Sequence, residues 1–219
     1  MFDFTLYNYF RSSSSFRVRI ALQLKNLNYE YRAIHLVKNE QYQGEYQELN
    51  PSSEVPTLVH QGQAIGQSMA ILEYLDVVAP KPRLFPVDSM KAAKVRQFCE
   101  TINSGIQGYQ NLKTLKYLET HFHVSTEAKQ QWLNFWIQTG FRSLEEQIHQ
   151  TAGRFCFGDE VTAAECLLVP QVFAAQRFQV SLEEFSVCRR IAEACEGLEP
   201  FQKAHPFRQP DTPGEFRVC

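Results

Sequence analysis

The sequence lacks the features that mark a membrane or nucleic-acid-binding protein. No apolar run among its 219 residues approaches the roughly 20 residues of a membrane-spanning helix. The formal net charge of −2 gives no positive surface for nucleic acid. Residues 1–4 have neither the basic start nor the apolar stretch of a secretory signal peptide. We therefore expect a cytoplasmic protein without a membrane or nucleic-acid partner.

Metal and hydrolase motifs are also missing. None of the six cysteines forms a C-x-x-C pair, and most lie in apolar, helix-like sequence, which predicts free, buried thiols. His121 and His123 have no cysteine or second histidine pair close in sequence, so we interpret them as surface side chains and predict no metal site. The absence of a G-x-S-x-G turn argues against a serine hydrolase.

The most informative segment that is present is a run of four serines at residues 12–15. Apolar residues follow it at helical spacing: Phe16, Ile20, Leu24 and Leu27. Arg17 and Arg19 fall between these apolar positions. Serine hydroxyls satisfy the first amides of a helix, and a helix N-terminus attracts anions. The run is therefore either a simple helix cap or a site for a thiolate or carboxylate.

The first 80 residues alternate between strand and helix patterns. In chain order the patterns predict a strand at 4–9, a helix at 14–25, a strand at 29–36, strands at 55–59 and 63–65 joined as a hairpin, and a helix from Ser68. Strand, helix, strand implies a right-handed parallel crossover. The order βαβ then ββα is that of a thioredoxin-like domain, which we place at residues 1–80.

The rest of the chain is predicted to be helical. Residues 81–86 are rich in proline, which interrupts helices and strands alike, so we interpret them as a linker. Helical patterns then cover residues 90–118, 125–151, 162–176 and 182–195, which predicts an all-α domain at 87–219. Thr162 and Glu165 form a capping box, in which each side chain satisfies a backbone amide at the helix start.

Several motifs in this order carry a resemblance to a known family. They are Arg11-Ser12-Ser13, Arg17-Val18-Arg19-Ile20-Ala21-Leu22, Val55-Pro56-Thr57-Leu58, Gln67-Ser68, Gln107…Gln110-Asn111-Leu112, Val169-Pro170-Gln171-Val172 and Arg208-Gln209-Pro210-Asp211-Thr212-Pro213. Together they resemble the zeta class of glutathione transferases, the maleylacetoacetate isomerases of tyrosine and phenylalanine breakdown. The resemblance spans essentially the whole chain. It implies the two-domain glutathione transferase fold, a homodimer, and glutathione as cofactor.

The resemblance also implies roles for individual residues. The catalytic hydroxyl is Ser12, with Ser13 and Ser14 beside it. The implied glutathione-binding residues are Gln41, Val55, Pro56, Gln67, Ser68, Gln107 and Asn111. Pro56 is cis in the family, which turns the backbone of Val55 toward the cysteinyl peptide unit of glutathione. Arg11 and Arg177 are the candidates for binding the carboxylates of a small dianionic keto acid.

The reaction implied by the family is a reversible conjugate addition. A thiolate adds to the cis double bond of maleylacetoacetate, the resulting single bond rotates, and elimination gives fumarylacetoacetate. Two residues depart from the family pattern: Phe16 replaces the usual tryptophan, and Ser14 stands where a cysteine is usual. A hydroxyl is a far weaker nucleophile than a thiol and cannot form a mixed disulfide with glutathione.

Two alternatives remain open from the sequence. The first is a zeta-like transferase that conjugates or dehalogenates small α-halo acids, which consumes glutathione instead of recycling it. The second is a non-catalytic protein that keeps the transferase fold, since fold does not guarantee activity. The second alternative is disfavoured by the intact set Ser12-Ser13, Gln67-Ser68 and Gln107…Asn111.

Overall fold

The computed structural model describes residues 3–217, which fall into two compact units. One unit comprises the chain up to Leu84 together with the segment from Glu196 onwards, and the other is Phe85–Cys195. Within the described residues no helix is both long enough and apolar enough to cross a membrane. The first unit contains a mixed β-sheet, whereas the second unit is helical.

A four-stranded sheet organises the first unit. Its strands are β1 (Phe4–Asn8), β2 (Tyr29–Ala33), β3 (Thr57–His60) and β4 (Gln63–Gly66), in the order β2-β1-β3-β4. Its helices are α1 (Ser13–Leu24), α2 (Gly44–Leu49) and α3 (Ser68–Val78). β1 and β2 pair in parallel, and β3 is antiparallel to both β1 and β4. This is the thioredoxin-like arrangement predicted from the sequence.

The strand register brings four chain segments to one edge of the sheet. Tyr7 in β1 pairs with Thr57, and Thr57 also pairs with Gly66, so β1 and β4 end where β3 begins. The parallel partner β2 ends at the same level, since Asn8 pairs with Ala33. The segments that leave β1, β2 and β4, and the one that enters β3, therefore all lie at this edge.

The hairpin between β3 and β4 turns through two residues. Gln61 and Gly62 have φ angles of 49° and 75°. Positive φ at both central positions is the type I′ geometry, whose twist matches that of the paired strands. Glycine tolerates this backbone conformation without a steric penalty, which explains its place in the turn.

A buried ion pair fixes the end of the proline-rich linker. The ammonium of Lys25, at the end of α1, donates to Asp76 Oδ1 at 2.9 Å and to the carbonyls of Ala79 and Pro82 at 2.6 and 2.8 Å. Asp76 Oδ1 also accepts from the Leu84 amide at 2.7 Å. All three Lys25 protons are thus used, and the linker is held against the first unit.

The C-terminal segment belongs to the sheet-containing unit. The sequence suggested one helical domain over 87–219, but the residues from Glu196 onwards group with the chain up to Leu84. α10 (Glu199–Ala204) packs against α1, and Asp211 bonds to the amide of Phe10. Composition could not indicate this division, because the contacts join residues about two hundred positions apart.

The second unit contains most of the helices. They are α4 (Ser89–Ile102), α5 (Gly108–Gln110), α6 (Leu112–Phe122), α7 (Thr126–Ile148), α8 (Ala163–Arg177) and α9 (Ser186–Glu196). The helix expected at 90–118 is divided, with a π-helical turn at Asn103–Gln107 and a break at Asn111. Asn111 has an extended backbone, and its side chain caps α6 by accepting from the Lys113 amide.

The capping box predicted at the start of α8 is present and is part of a larger network. Thr162 Oγ1 accepts from the Ala164 amide at 3.2 Å, while Glu165 Oε2 accepts from the Thr162 amide at 2.6 Å. The other carboxylate oxygen of Glu165 accepts from the Cys156 amide at 2.7 Å. The fully buried Glu165 therefore joins the helix start to the preceding loop.

The cysteines of the described chain are free and buried, as predicted: Cys99, Cys156, Cys166, Cys188 and Cys195. Burial raises the pKa of the Cys156 thiol well above its usual value, and the neighbouring Glu165 carboxylate adds to the effect. A buried thiol with a raised pKa forms little thiolate, so Cys156 acts as a packing group. The sixth cysteine, Cys219, lies outside the described residues.

Candidate active site

Ser12 is the N-cap of α1 and lies at the edge of the sheet where β1 ends and β3 begins. Its backbone is extended, with φ −70° and ψ 120°, and its hydroxyl oxygen accepts from the Ser15 amide at 3.2 Å. A hydroxyl that accepts a hydrogen bond still has its own hydrogen to donate. Within residues 3–217 the Ser12 hydroxyl donates to no other group. It is therefore a half-buried donor beside a positive helix end.

Ser13 and Ser14 add two further hydroxyls in the first turn of α1. Ser13 is buried and Ser14 is half-buried. Neither side chain forms a hydrogen bond with the part of the chain that the structure describes. Three adjacent hydroxyls thus have unused hydrogen-bonding capacity at one helix start, which is the arrangement expected for binding an anion.

The start of α3 forms a second anion-binding position at the same edge. Gln67 occupies its N-cap with a φ of 63°, a conformation that side-chain-bearing residues rarely adopt and that is concentrated at functional sites. The Gln67 side chain does not cap the helix, so the first amides of α3 lack a capping acceptor. The Gln67 amide group instead donates to the carboxylate of Glu54 at 3.4 Å.

Arg17 connects the two helix starts. Its Nη1 donates to Ser68 Oγ at 3.1 Å, and both side chains are buried. Because the Ser68 hydroxyl accepts from a guanidinium, its own hydrogen remains available to a ligand. The guanidinium charge of Arg17, one hydrogen bond away from Ser68, favours a carboxylate at the start of α3.

The two arginines of α1 are buried as deeply as its apolar residues. Arg17 and Arg19 fall between the apolar positions of the helix, yet both are 0% exposed. Arg17 reaches Ser68 in α3, and Arg19 reaches the turn after β1. Hydrophobic periodicity cannot detect such residues, because it scores a charged side chain as exposed unless its partners are known.

Val55 and Pro56 directly precede β3 and lie at the same edge of the sheet. Their peptide bond is cis, as the family resemblance implied. The Val55 amide and carbonyl have no hydrogen-bond partner among residues 3–217. A backbone donor and acceptor so placed are suited to pair with the peptide unit of a bound ligand.

Gln41 supplies a buried polar atom that requires a partner. It lies in the short 3₁₀ turn Glu40–Tyr42, and its side chain is almost fully buried. Its Oε1 accepts no hydrogen bond from the described chain. A buried acceptor without a donor is costly unless a water or a ligand completes it, so Gln41 fits a ligand-binding role.

The remaining predicted residues are divided between the two units. Arg11 follows the β1 turn, with its guanidinium 5.9 Å from the Phe10 ring centroid. Gln107, Asn111 and Arg177 belong to the second unit. Arg177 ends α8, is exposed, and lies over the Phe178 ring at 4.3 Å. The roles of these four residues remain predictions.

These groups together fit an anionic tripeptide with a thiol. The start of α3 is suited to a carboxylate, the Val55 backbone to a peptide unit, and the Ser12 hydroxyl to a sulfur anion. Gln41 provides a further acceptor. No cluster of three potential metal ligands occurs in the described part of the chain.

Comparison with known proteins identifies the relatives of this chain. Residues 2–77 match the family model for the glutathione S-transferase N-terminal domain. A maleylacetoacetate isomerase from Rattus norvegicus is 48% identical over 97% of both chains. A bacterial zeta-class maleylpyruvate isomerase superimposes with a TM-score of 0.93 at 39% identity, covering 95% of this chain and all of that one. The maleylacetoacetate isomerase of Anaeromyxobacter dehalogenans, with glutathione bound in its active site, superimposes with a TM-score of 0.87 at 46% identity. The match covers 96% of this chain and 98% of that one.

The thioredoxin-like sheet, the helix starts at its edge and the N-terminal match define the class as a glutathione transferase. Within that class, the full-length similarity places the chain more narrowly. It belongs to the zeta-class glutathione transferase and maleylacetoacetate isomerase family.

Proposed function

We propose that this enzyme converts maleylacetoacetate to fumarylacetoacetate, using glutathione as a recycled cofactor. The observation that carries the proposal is the Ser12 hydroxyl, which accepts from the Ser15 amide and keeps its hydrogen for a ligand at the start of α1. Bound glutathione supplies the nucleophilic sulfur for the isomerisation. The protein must therefore hold the tripeptide, keep its thiol ionised and bind a dianionic keto acid.

The first unit holds the tripeptide through groups on separate segments. Ser68 and the first amides of α3 bind its γ-glutamyl carboxylate, and Arg17 adds positive charge through its hydrogen bond to Ser68. The backbone of Val55 pairs with the cysteinyl peptide unit, and Gln41 accepts a hydrogen bond from the ligand. Gln107 and Asn111 add further contacts from the second unit.

The Ser12 site is strong enough to ionise a thiol at neutral pH. A free thiol has a pKa of about 8.5, and lowering it by about two units needs roughly 2.7 kcal/mol in favour of the anion. A hydrogen bond to a charged acceptor contributes about 1.5–3 kcal/mol. The dipole of α1 adds about 0.3–1 kcal/mol. Ser12 and the helix start together supply the required free energy.

Two arginines bind the carboxylates of the substrate. Arg11 lies next to the serine run and binds one carboxylate of the keto acid. Arg177 is the candidate for the other carboxylate. Cationic groups also stabilise the negative charge that develops on the substrate oxygen when the double bond is attacked.

The proposal is tested by mixing the purified protein with maleylacetoacetate and a catalytic amount of glutathione. We expect many turnovers to fumarylacetoacetate with total thiol unchanged. No turnover, in preparations shown by calorimetry to bind glutathione, would refute the isomerase activity. A parallel assay with maleylpyruvate measures the preference between the two cis keto acids.

A conjugating or dehalogenating transferase is the second candidate. Ser14 favours it, because the family cysteine is replaced by a residue that cannot form a mixed disulfide. The same assay separates the two functions when an α-halo acid replaces the keto acid. Thiol loss in proportion to halide released, with no isomerisation of maleylacetoacetate, would establish the transferase.

We also infer that the enzyme is a cytoplasmic homodimer. Apolar side chains are unusually exposed in each unit, including Val77 in the first (77%) and Val87 and Met90 in the second (80% and 68%). The family resemblance implies a homodimer, and an interface between two copies would cover some of these side chains. Light scattering at micromolar concentration tests the assembly, and a monomeric mass would refute it.

A further inference from the structure

Arg19 binds the turn that leads to Ser12. The side chain is fully buried in α1, and it donates to the Asn8 side chain at 2.9 Å and to the carbonyls of Tyr9 and Phe10 at 3.3 and 2.8 Å. Its Nε donates to the carbonyl of Ala204, in the C-terminal segment, at 3.0 Å. One guanidinium therefore joins the turn after β1 to the far end of the chain.

Asp211 binds the same turn through the amide of Phe10. Its Oδ2 accepts from the Phe10 amide at 2.9 Å, and its Oδ1 accepts from the Tyr31 hydroxyl at 2.5 Å. Burial raises the pKa of Tyr31 against the opposing effect of Arg19, so the phenol stays protonated and able to donate. The peptide groups of Phe10 are thus fixed at both ends, the amide by Asp211 and the carbonyl by Arg19.

The segment that carries Asp211 is itself held in place. The Thr212 hydroxyl donates to the Pro206 carbonyl at 2.7 Å, and the Gln209 side chain donates to the His205 carbonyl at 2.8 Å. These bonds fold the segment onto itself. The position of Asp211 relative to the turn therefore depends on the conformation of the whole segment.

We propose that Arg19 and Asp211 are positioning residues for the Ser12 hydroxyl, so that the C-terminal segment forms part of the catalytic apparatus. The connection is direct, because the Ser12 amide donates to the Tyr9 carbonyl at 3.0 Å, the same carbonyl that Arg19 binds. Displacing this turn moves the hydroxyl away from the sulfur. The inference rests on the proposed glutathione-dependent function.

The test is the variant Asp211→Ala. Misplacement of a catalytic group by about 1 Å costs about 100-fold in rate, so we expect kcat to fall roughly 10- to 100-fold. The KM for glutathione should change less than about threefold, because the α3 subsite does not depend on this turn. The thiol pKa of bound glutathione, followed by thiolate absorbance, should rise. In the protein without glutathione, the Phe10 amide should exchange hydrogen faster than in the wild type.

Two further variants separate positioning from general loss of stability. Tyr74→Phe removes the hydrogen bond between Tyr74 and His60, which pairs with Phe4 at the opposite end of β1 from the turn, so it should leave the thiol pKa unchanged at comparable destabilisation. Asp211→Asn keeps one acceptor and should give an intermediate effect, and it replaces Asp211→Ala if that variant fails to fold. An unaltered thiol pKa and Phe10 exchange in both Asp211 variants would overturn the inference.

The failure of the inference is distinguishable from failure of the proposed function. A wild-type protein that does not bind glutathione refutes the function and the catalytic role of Ser12 together. A wild-type protein that lowers the thiol pKa as expected, while both Asp211 variants do so equally well, refutes only the positioning role.

Discussion

Glu165 is predicted to stabilise the second unit more than an ordinary helix cap does. Its carboxylate accepts from the amides of Thr162 and Cys156 and from the Thr162 hydroxyl. Glu165→Ala leaves two buried amides without acceptors, each costing about 1–3 kcal/mol. Allowing for water that enters the vacated space, we expect a loss of about 2–4 kcal/mol. Thr162→Ala removes the cap and the hydroxyl bond to Glu165 but leaves both amides bound to the carboxylate, so it should cost only about 1–2 kcal/mol.

Urea denaturation followed by tryptophan fluorescence measures this difference. Both tryptophans of the chain, Trp132 and Trp136, lie in α7 and report on the second unit. Thr162→Ser, which keeps the hydroxyl, is the matched control and should remain within about 0.5 kcal/mol of the wild type. If Glu165→Ala costs no more than Thr162→Ala, the bond to the Cys156 amide makes no net contribution and the reasoning is wrong.

Three other predictions concern the site and its surroundings. Ser14→Cys restores the family residue and should raise isomerase activity or leave it unchanged in the steady-state assay, whereas a large loss would show that the Ser14 hydroxyl has its own role. Arg177→Ala should raise the KM for dianionic substrates, and an unchanged KM would assign Arg177 to packing over Phe178. Burial lowers the pKa of His205 in the folded protein, and Arg19 and Arg208 add to the effect. The unfolded state therefore binds a proton at His205 more readily than the folded state does. Stability should therefore fall as the pH drops below about 6.5, and His205→Asn should reduce that fall in urea titrations at pH 7 and pH 5. Identical pH dependence in the two proteins would contradict the His205 contribution.

The elements of the first unit could be predicted because their signals are local. The strands around the two-residue turn at Gln61 and Gly62 differ from the predicted bounds by only one or two residues. The capping box at Thr162 was equally predictable, since its two side chains are three positions apart. In each case the residues that determine the structure are neighbours in sequence, so pattern and side-chain chemistry suffice.

The supporting residues of the site could not be predicted in the same way. Arg19 and Asp211 meet the turn at Phe10 from positions 9 and 201 residues away, and neither has a local signal for these contacts. Arg17 contacts Ser68 across 51 residues. A buried charge is tolerated only where its partners converge, and that convergence is a property of the tertiary structure. The glutathione-binding roles came from the family resemblance, whereas the groups that support Ser12 required the structure.

The most direct test of the account is the thiol pKa of glutathione bound to the wild type and to Ser12→Ala. Thiolate absorbance titrated against pH measures it, with calorimetry to confirm that both proteins bind the tripeptide. In the wild type, we predict that the thiol pKa of bound glutathione lies about two units below that of free glutathione. In Ser12→Ala, the thiol pKa should return most of the way to the free value, while the affinity for glutathione is largely retained. Equal pKa values in the two proteins, or a wild-type value no lower than that of free glutathione, would contradict the central role given to the Ser12 hydroxyl.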